Sequence, residues 1–149
     1  MLLLPASEAQ EQELLENQAK WEVLEWDTYR FNIQQISNVA PPSSGKLLVQ
    51  VYQNQVKSIF WEGQDVTDEV TRAAPVPTLS ELFDRLQLNL DQVPYYYNVT
   101  YDAAYGYPAN VDINPVKEIC DEELDITVSN VVRSKCRENK RRGLICKVL

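Results

Sequence analysis

Two groups of strand-like segments, separated by one strongly amphipathic helix, constrain the fold of this chain more than any other feature. In the first group, Tyr29, Phe31 and Ile33 alternate with polar residues, which is the period-two pattern of a half-buried strand. Two further apolar segments, 46–52 and 56–62, flank a short polar turn and indicate a hairpin. The second group comprises predicted strands at 95–102, 109–114 and 124–132. We therefore expect six strands in two groups of three.

The helix between the two groups has a clear start signal and a continuous apolar face. Thr78 and Glu81 have the spacing of a capping box, and Pro77 directly precedes them. The apolar stripe consists of Leu79, Leu82, Phe83, Leu86 and Leu90. A first helix is predicted from Glu8 to Trp26 because this segment is rich in Glu, Gln, Leu and Ala. Its predicted apolar face consists of Leu15, Ala19, Val23 and Trp26.

The order of these elements predicts the fold class. Strands that come in groups, rather than alternating with helices, favour an α+β fold. We expect an antiparallel β-sheet with two helices packed on one face, in the order α-β-β-β-α-β-β-β. Residues 11–132 are predicted to form this single domain. Residues 1–10 are interpreted as an N-terminal stub or the remnant of a targeting peptide, and residues 133–149 as a basic, cysteine-bearing C-terminal tail.

The composition argues against several classes of protein. The chain has 149 residues, of which 22 are acidic and 14 basic, so its net charge is −8, and it contains no histidine. Without histidine, neither a Ser-His-Asp nor a Cys-His catalytic arrangement nor a histidine-liganded metal site can form. No apolar run approaches the roughly 20 residues of a transmembrane helix. We therefore expect no catalytic activity, no cofactor, no metal and no membrane span.

The three cysteines, Cys120, Cys136 and Cys146, all lie near the C-terminus. An odd count allows one disulfide with one free thiol, or three thiols. A Cys136–Cys146 bridge would close a short loop, whereas a Cys120–Cys136 bridge would tie the tail to the domain. We expect one bridge in an oxidising compartment, with Cys136 and Cys146 as the candidate pair.

The charge of the chain changes sign at Arg133. Residues 133–149 contain seven basic residues and one acidic residue, a charge of +6, whereas the preceding residues carry −14. Such a segment is typical of a solvated extension or of a docking arm. The candidate contacts to an acidic partner are Arg133, Lys135, Arg137, Lys140, Arg141 and Arg142, and Lys147 adds to the same charge. Because the rest of the chain would repel phosphate groups, we expect no nucleic-acid partner.

Six of the eight tyrosines lie between Tyr95 and Tyr107. Clustered tyrosines can form a stacking face for sugars or an anchor surface for a partner protein. Aromatic residues are also common in the cross-strand packing of a hairpin, and this interpretation stays open. The candidate interaction residues in this segment are Tyr95, Tyr97, Tyr101, Tyr105 and Tyr107.

One turn is more distinctive than the rest of the sequence. Residues 101–108 read Y-D-A-A-Y-G-Y-P, and they are followed by Val111-Asp-Ile113 and by Asp121-Glu-Glu123. In this pattern the chain resembles a family of small bacterial domains of unknown function, marked by a Y-D-x-x-x-G-Y-P turn and a following D-E-E. Its members are mostly secreted proteins or lipoproteins. The resemblance spans residues 20–130 and implies a fold and an extracytoplasmic location, but no activity.

These observations together favour a non-catalytic accessory subunit. We expect it to dock onto a larger protein assembly through the basic tail and to use the tyrosine-rich hairpin as a second contact. The alternative is an extracytoplasmic domain that binds a small ligand or a glycan on the Tyr95–Tyr107 face. A third reading is a weak hydrolase that uses paired carboxylates such as Asp102 and Glu122. The expected location is extracytoplasmic, periplasmic or the lumen of an organelle, where peripheral association with a membrane stays open.

Overall fold

A computed structural model of the chain describes residues 6–36, 41, 42, 44–115 and 124–149. Within these residues the fold is α+β, with three helices and an antiparallel sheet of eight strands. In chain order the elements are α1 (Ala6–Glu22), β1 (Tyr29–Gln35), β2 (Lys46–Tyr52), β3 (Gln55–Trp61), β4 (Gln64–Asp65), α2 (Thr67–Ala73), α3 (Leu79–Asp91), β5 (Tyr96–Tyr101), β6 (Pro108–Asn114), β7 (Leu124–Asn139) and β8 (Gly143–Val148). The predicted α+β class with an antiparallel sheet is therefore confirmed.

The chain divides into two compact units. The first contains Met1–Glu25 and Leu79–Thr127, and the second contains Trp26–Thr78 and Val128–Leu149. Strand β7 contributes its first residues to one unit and the remainder to the other. Each unit has its own set of buried apolar side chains, so we describe them separately.

In the first unit, α1 and α3 pack against each other, and α3 also packs against β6. The strands β5, β6 and the start of β7 pair antiparallel, with Val111 opposite both Val99 and Ile126. The predicted stripe of α3 is buried throughout, which confirms that helix face. The buried apolar side chains of this unit are Leu14, Trp21, Leu79, Leu82, Phe83, Leu86, Leu90, Val99, Tyr107, Val111, Ile113 and Ile126.

The prediction for the buried face of α1 is wrong. Leu15 is 53% exposed and Val23 is 77% exposed, whereas Leu14 and Trp21, two turns apart, are buried. Helix α1 is polar on most of its surface, so two adjacent leucines leave the phase of the helix ambiguous. The observed phase buries the indole of Trp21, which removes more apolar surface from water than Val23 would.

In the second unit, β1, β2, β3 and β4 form consecutive antiparallel pairs, and the later part of β7 lies next to β1. The predicted alternation in β1 is confirmed because Tyr29, Phe31 and Ile33 are all buried. The predicted hairpin of β2 and β3 is also observed. The buried apolar side chains of this unit are Tyr29, Phe31, Ile33, Leu47, Val49, Val51, Ile59, Val66, Val70, Val76, Val128 and Val131.

The observed order differs from the predicted one by three added elements, β4, α2 and β8. Helix α2 has seven residues and buries only Val70, so it has no amphipathic stripe that a sequence pattern could reveal. Residues 133–149, interpreted above as a tail, continue β7 and form β8. Of the predicted N-terminal stub, residues 1–5 lie outside the described residues, and α1 begins at Ala6.

Candidate functional site

The basic C-terminal segment forms a β-hairpin within the second unit. Residues 134–139 of β7 pair antiparallel with β8, and Asn139 is the register partner of Gly143. The Asn139 side-chain oxygen accepts hydrogen bonds from the backbone N–H groups of Arg141 and Arg142, at 2.8 and 3.1 Å. Gly143 closes the turn with a φ of 73°, which an L side chain adopts only at a cost. The tip of the C-terminal hairpin is therefore an ordered turn that presents three basic side chains.

A disulfide joins Cys136 and Cys146 across this hairpin. The two residues are direct register partners, and their Cα atoms are 4.0 Å apart. The Leu149 N–H donates to the Arg133 carbonyl at 3.0 Å, which makes 133/149 a hydrogen-bonded pair. By alternation, 136/146 is a non-hydrogen-bonded pair, where opposing side chains lie closest. The predicted Cys136–Cys146 bridge is thus supported, and Cys120 lies outside the described residues.

One face of the C-terminal hairpin carries only positive charge. Arg133, Lys135 and Arg137 alternate along β7, and Lys147 of β8 is the register partner of Lys135. All four side chains are exposed. We call these four residues the basic face. Its neighbour Glu138 points to the opposite side of the hairpin, since successive side chains in a strand alternate.

The cations of the hairpin form no ion pair in the part of the chain that the structure describes. Among the described residues, no carboxylate forms an ion pair with the basic face or with Lys140, Arg141 and Arg142 at the tip. Like charges directly opposite each other in a sheet are destabilising, so the Lys135–Lys147 pair works against the hairpin. An anionic group placed over this face would relieve that repulsion.

The opposite face of the hairpin borders a cleft within the second unit. The cleft has a volume of about 870 Å³ and lies against β2, β3 and β4. Its lining outside the hairpin consists of Tyr52, Lys57, Ser58, Phe60 and Asp65. A smaller cavity of about 210 Å³ shares Ser58 and Phe60 with it and extends to Arg30 and Cys146. The lining thus mixes an apolar floor with basic and acidic side chains at its edges.

A buried glutamine holds the base of the C-terminal hairpin. The Gln50 side-chain amide donates hydrogen bonds to the Ser134 hydroxyl at 2.7 Å and to the Tyr29 carbonyl at 3.1 Å. Gln50 is 7% exposed and Ser134 is 3% exposed. Sequence reasoning missed this contact because Gln50 alternates with Val49 and Val51 and therefore has the pattern of a solvent-facing residue.

The tyrosine-rich segment is divided between two sides of β5 and does not form one face. The side chains of Tyr95, Tyr96 and Tyr105 are exposed. Tyr97, Tyr101 and Tyr107 are buried or half-buried in the first unit. The ring of Tyr101 stacks on Phe83 of α3, with centroids 6.3 Å apart. Cross-strand and helix packing therefore accounts for Tyr97, Tyr101 and Tyr107.

Two of these inward tyrosines have unusual hydroxyl groups. The hydroxyls of Tyr97 and Tyr101 are buried and interact with each other, and neither has a hydrogen-bond partner elsewhere among the described residues. Burial raises the pKa of both phenols because the charged phenolate is poorly solvated there. The contact between the two hydroxyls lowers the pKa of Tyr97 and raises that of Tyr101. Both phenols are neutral at physiological pH. At alkaline pH their burial destabilises the folded chain, because the unfolded chain ionises more readily.

The distinctive turn at 101–108 is explained by hydrogen bonding and close packing. The Asp102 carboxylate accepts hydrogen bonds from the N–H groups of Ala104 and Tyr105, at 3.1 and 2.8 Å. Gly106 has a φ of 82°, as expected for its place in the turn. These bonds give Asp102 a structural role within its own turn. The hydrolase hypothesis pairs Asp102 with Glu122, and Glu122 lies outside the described residues.

The end of the same turn packs against α1. The Tyr107 ring meets Trp21 edge-on, with centroids 6.4 Å apart and an interplanar angle of 85°. The Trp21 indole N–H in turn donates to the Ser80 hydroxyl at 3.4 Å. Burial is the largest cause that raises the pKa of Tyr107, and the nearby Asp102 carboxylate adds to it. The turn therefore serves to fix α1 on the β5–β6 hairpin.

Comparison with known proteins places this fold in a family. The model of a family of unknown function, DUF6174, matches residues 13–133. The chain belongs to the DUF6174 family. The match includes the turn at 101–108 and ends at Arg133, so the pairing of β7 with β8 lies almost wholly beyond it. Neither a curated protein nor a solved structure shows significant similarity to the chain.

The described part of this DUF6174 member contains neither a metal-binding cluster nor a membrane-spanning helix. In the part of the chain that the structure describes, no group of three or more cysteine, aspartate or glutamate side chains is arranged to hold a metal ion. No described helix is long and apolar enough to cross a membrane. The D-E-E at 121–123 lies outside the described residues.

Proposed function

We propose that this DUF6174 member is a non-catalytic accessory subunit that docks onto a protein partner in a larger assembly. The docking element is the C-terminal hairpin, and the partner presents an acidic surface to its basic face. The observation that supports this most directly is the Lys135–Lys147 pair, in which two exposed cations stand opposite each other with Arg133 and Arg137 beside them.

The energetics of the basic face favour a partner over a purely structural role. Four cations on one face of a two-stranded ribbon repel each other, and no described carboxylate relieves them. An acidic partner surface converts this repulsion into attraction and also speeds diffusional encounter. The disulfide and the Gln50–Ser134 hydrogen bond hold the hairpin in one geometry, which lowers the entropic cost of binding.

The disulfide also supports the proposed location. Disulfides persist in oxidising compartments such as the periplasm, the extracellular space or an organelle lumen. The resemblance of the 101–108 turn to secreted bacterial domains points the same way. We therefore place the assembly outside the cytoplasm, and the exposed tyrosines Tyr95 and Tyr105 remain candidates for a second contact.

Charge reversal on the hairpin tests the docking proposal. The Lys135→Glu and Arg137→Glu double variant makes the basic face neutral overall and puts a carboxylate opposite Lys147, so the hairpin itself should be retained. Lys46→Glu with Arg72→Glu is the matched control, because it makes the same change in net charge at exposed positions outside the hairpin.

The readout is native purification from the source cell followed by mass spectrometry. We expect the unchanged protein and the control variant to recover a partner in stoichiometric amount, and the hairpin variant to lose it. Added salt should weaken the interaction, because exposed charges are screened. Recovery of the same partner by the hairpin variant, or recovery of the unchanged protein alone, would overturn the proposal.

The cleft next to the C-terminal hairpin supports a second candidate, a domain that binds a small ligand. Its volume of about 870 Å³ is within the usual range for ligand pockets. The side chains of Lys57, Lys140 and Arg142 favour an anionic ligand, and the Phe60 ring offers an apolar floor. A thermal-shift screen of small anions with the unchanged protein and with Lys57→Glu tests this candidate, since only a ligand of the cleft should lose its effect in the variant.

A further inference from the structure

Strand β5 forms an edge of the sheet, at the opposite end of the strand order from β4. The Tyr95 N–H donates to the Pro115 carbonyl, so 95/115 is a hydrogen-bonded pair of the β5–β6 ladder. By alternation, 97/113 and 99/111 are hydrogen-bonded pairs as well. The N–H and C=O groups of Tyr96, Asn98 and Thr100 therefore point away from β6. Among the described residues, none of these groups has a hydrogen-bond partner.

Strand β5 carries no protective side chain along its edge, although its ladder with β6 shifts register between Thr100 and Tyr101. Proteins protect their sheet edges with lysine, proline, inward-pointing charges or very short edge strands. Strand β5 has six residues, Tyr-Tyr-Asn-Val-Thr-Tyr, with no charge and no proline. The edge at β4, in contrast, is two residues long and includes Asp65. Among the strands that the structure describes, none pairs with this side of β5, and the strand can accept another one there.

The side chains of β5 make it complementary to itself. In an antiparallel pair of two β5 strands centred on Asn98, each Asn98 lies opposite the other, and each Tyr96 lies opposite Thr100 of the second copy. Side-chain amides can hydrogen-bond across such a pair, and an aromatic residue opposite a β-branched residue is a favourable cross-strand combination. The same register puts Tyr97 opposite Val99 and brings no charged side chains of β5 together.

Exposed apolar side chains extend this surface beyond the strand. Val93 is 74% exposed, Tyr95 is 59% exposed and Tyr96 is 46% exposed. In the register centred on Asn98, Tyr95 lies opposite Tyr101 of the second copy, whereas Val93 precedes the strand. Pairing would therefore remove apolar surface from water in addition to forming backbone hydrogen bonds.

We infer that the β5 edge is a dimerisation surface and that its occupant is β5 of a second copy of this chain. The two strands pair antiparallel around a two-fold axis at Asn98, which gives an isologous interface. This surface lies in the first unit, whereas the C-terminal hairpin lies in the second. A negative result for dimerisation through β5 would therefore not contradict docking by the C-terminal hairpin, and the reverse also holds.

Salt dependence separates this contact from docking by the hairpin. Each copy carries a net charge of −8, so two copies repel at low ionic strength, while the contact strand itself is uncharged. Screening should make the dimer stronger as salt is added. Docking of the basic face onto an acidic partner should become weaker under the same change.

Sedimentation velocity of the purified full chain at increasing concentration tests the inference. We expect a shift from the 17.2 kDa monomer to a species of twice that mass. The Asn98→Lys variant puts two lysines opposite each other at the two-fold axis and should stay monomeric. It should fold, because position 98 is exposed and the lysine side chain extends into solvent. Thr127→Lys, which adds the same charge on an inner strand, is the matched control and should still dimerise.

Hydrogen exchange provides a readout that does not depend on a variant. The amides of Tyr96, Asn98 and Thr100 should gain protection as the concentration of the unchanged protein rises. A protein that stays monomeric at every concentration, or an Asn98→Lys variant that dimerises as well as Thr127→Lys does, would overturn the inference. A monomer that gains protection at these amides only when a different protein is added would overturn it too, because the occupant would then be a foreign strand.

Discussion

The backbone of Gly106 lies directly against the backbone of Asn17. A Cβ at position 106 would overlap the Asn17 carbonyl oxygen and would come within 2.8 Å of the Lys20 Cβ. Gly106 also has a φ of 82°, a conformation in which an L side chain is strained. Glycine is therefore required at this position of the turn for two independent reasons, its φ and the close approach of α1.

We expect Gly106→Ala to destabilise the protein by about 3 kcal/mol, the sum of the φ penalty and of displacement of α1. Gly143→Ala is the matched control, because Gly143 has a φ of 73° but no atom within 4 Å of the added Cβ. Gly143→Ala should lower the free energy of unfolding by about 1 kcal/mol, the cost of a positive φ at an L residue. Urea unfolding measures both values. Equal losses in the two variants would show that the contact with α1 adds nothing.

How much of the fold the sequence reveals depends on how strong each local pattern is. Helix α3 has a start signal and five stripe residues, and all five are buried as predicted. Helix α1 has few apolar residues, so its phase is set by tertiary packing of Trp21 and Gly106, which no local pattern reports. The same reasoning applies to α2, which is too short to show a period.

The candidate site, like the fold, could be predicted from the sequence only in part. The sign of the charge and the spacing of Cys136 and Cys146 were visible in the sequence, and these features indicated a separate basic segment. That the segment is a hairpin with Lys135 opposite Lys147 depends on the register of two strands, which is a property of the folded chain.

Reduction of the disulfide should loosen the C-terminal hairpin. Cys136 and Cys146 are 10 residues apart, and a loop of this length stabilises a fold by about 3 kcal/mol in the chain-entropy model. We expect the Cys136→Ser and Cys146→Ser double variant to lower the urea midpoint and to increase amide exchange in β8. Unchanged exchange in β8 would show that the bridge does not hold the hairpin.

Thiol counting provides a check on the connectivity. With one bridge and three cysteines, the denatured, unreduced chain should expose one reactive thiol, and the reduced chain three. The Cys120→Ser variant should expose none before reduction. Two reactive thiols in that variant would contradict the Cys136–Cys146 pairing.

The buried hydroxyls of Tyr97 and Tyr101 predict a loss of stability at alkaline pH. Burial raises the pKa of both phenols in the folded state, so the unfolded chain ionises first. Below about pH 10 both phenols are neutral in the folded and the unfolded chain, so they do not change the free energy of unfolding. Above that pH the free energy of unfolding falls, because the unfolded chain ionises more readily than the folded one. Urea unfolding as a function of pH measures this loss.

Tyr101→Phe should make that loss smaller, because one phenol fewer ionises in the unfolded chain. The substitution leaves the buried Tyr97 hydroxyl without the Tyr101 hydroxyl beside it, so we also expect a loss of about 1 kcal/mol at neutral pH. Tyr96→Phe is the control, since Tyr96 is 46% exposed and should alter neither value. A Tyr101→Phe protein that is as stable as the unchanged protein at neutral pH would show that the contact between the two hydroxyls adds no stability.

The hydrogen bond between Gln50 and Ser134 should couple the C-terminal hairpin to the sheet. We expect Ser134→Ala to cost about 1 kcal/mol, because the Gln50 amide keeps the Tyr29 carbonyl as an acceptor. Gln50→Leu should cost more, since it leaves the buried Ser134 hydroxyl without this partner. The double variant should lose less free energy of unfolding than the two single variants lose together, and the difference, the coupling energy, should be about 1 kcal/mol. The exposed hydrogen bond between Asn110 and Thr100 is the matched control. The Asn110→Ala and Thr100→Ala variants, measured singly and together, should give a coupling energy near zero. A Gln50–Ser134 coupling no larger than that of the control would mean that the hairpin is held by the strand ladder and the disulfide alone.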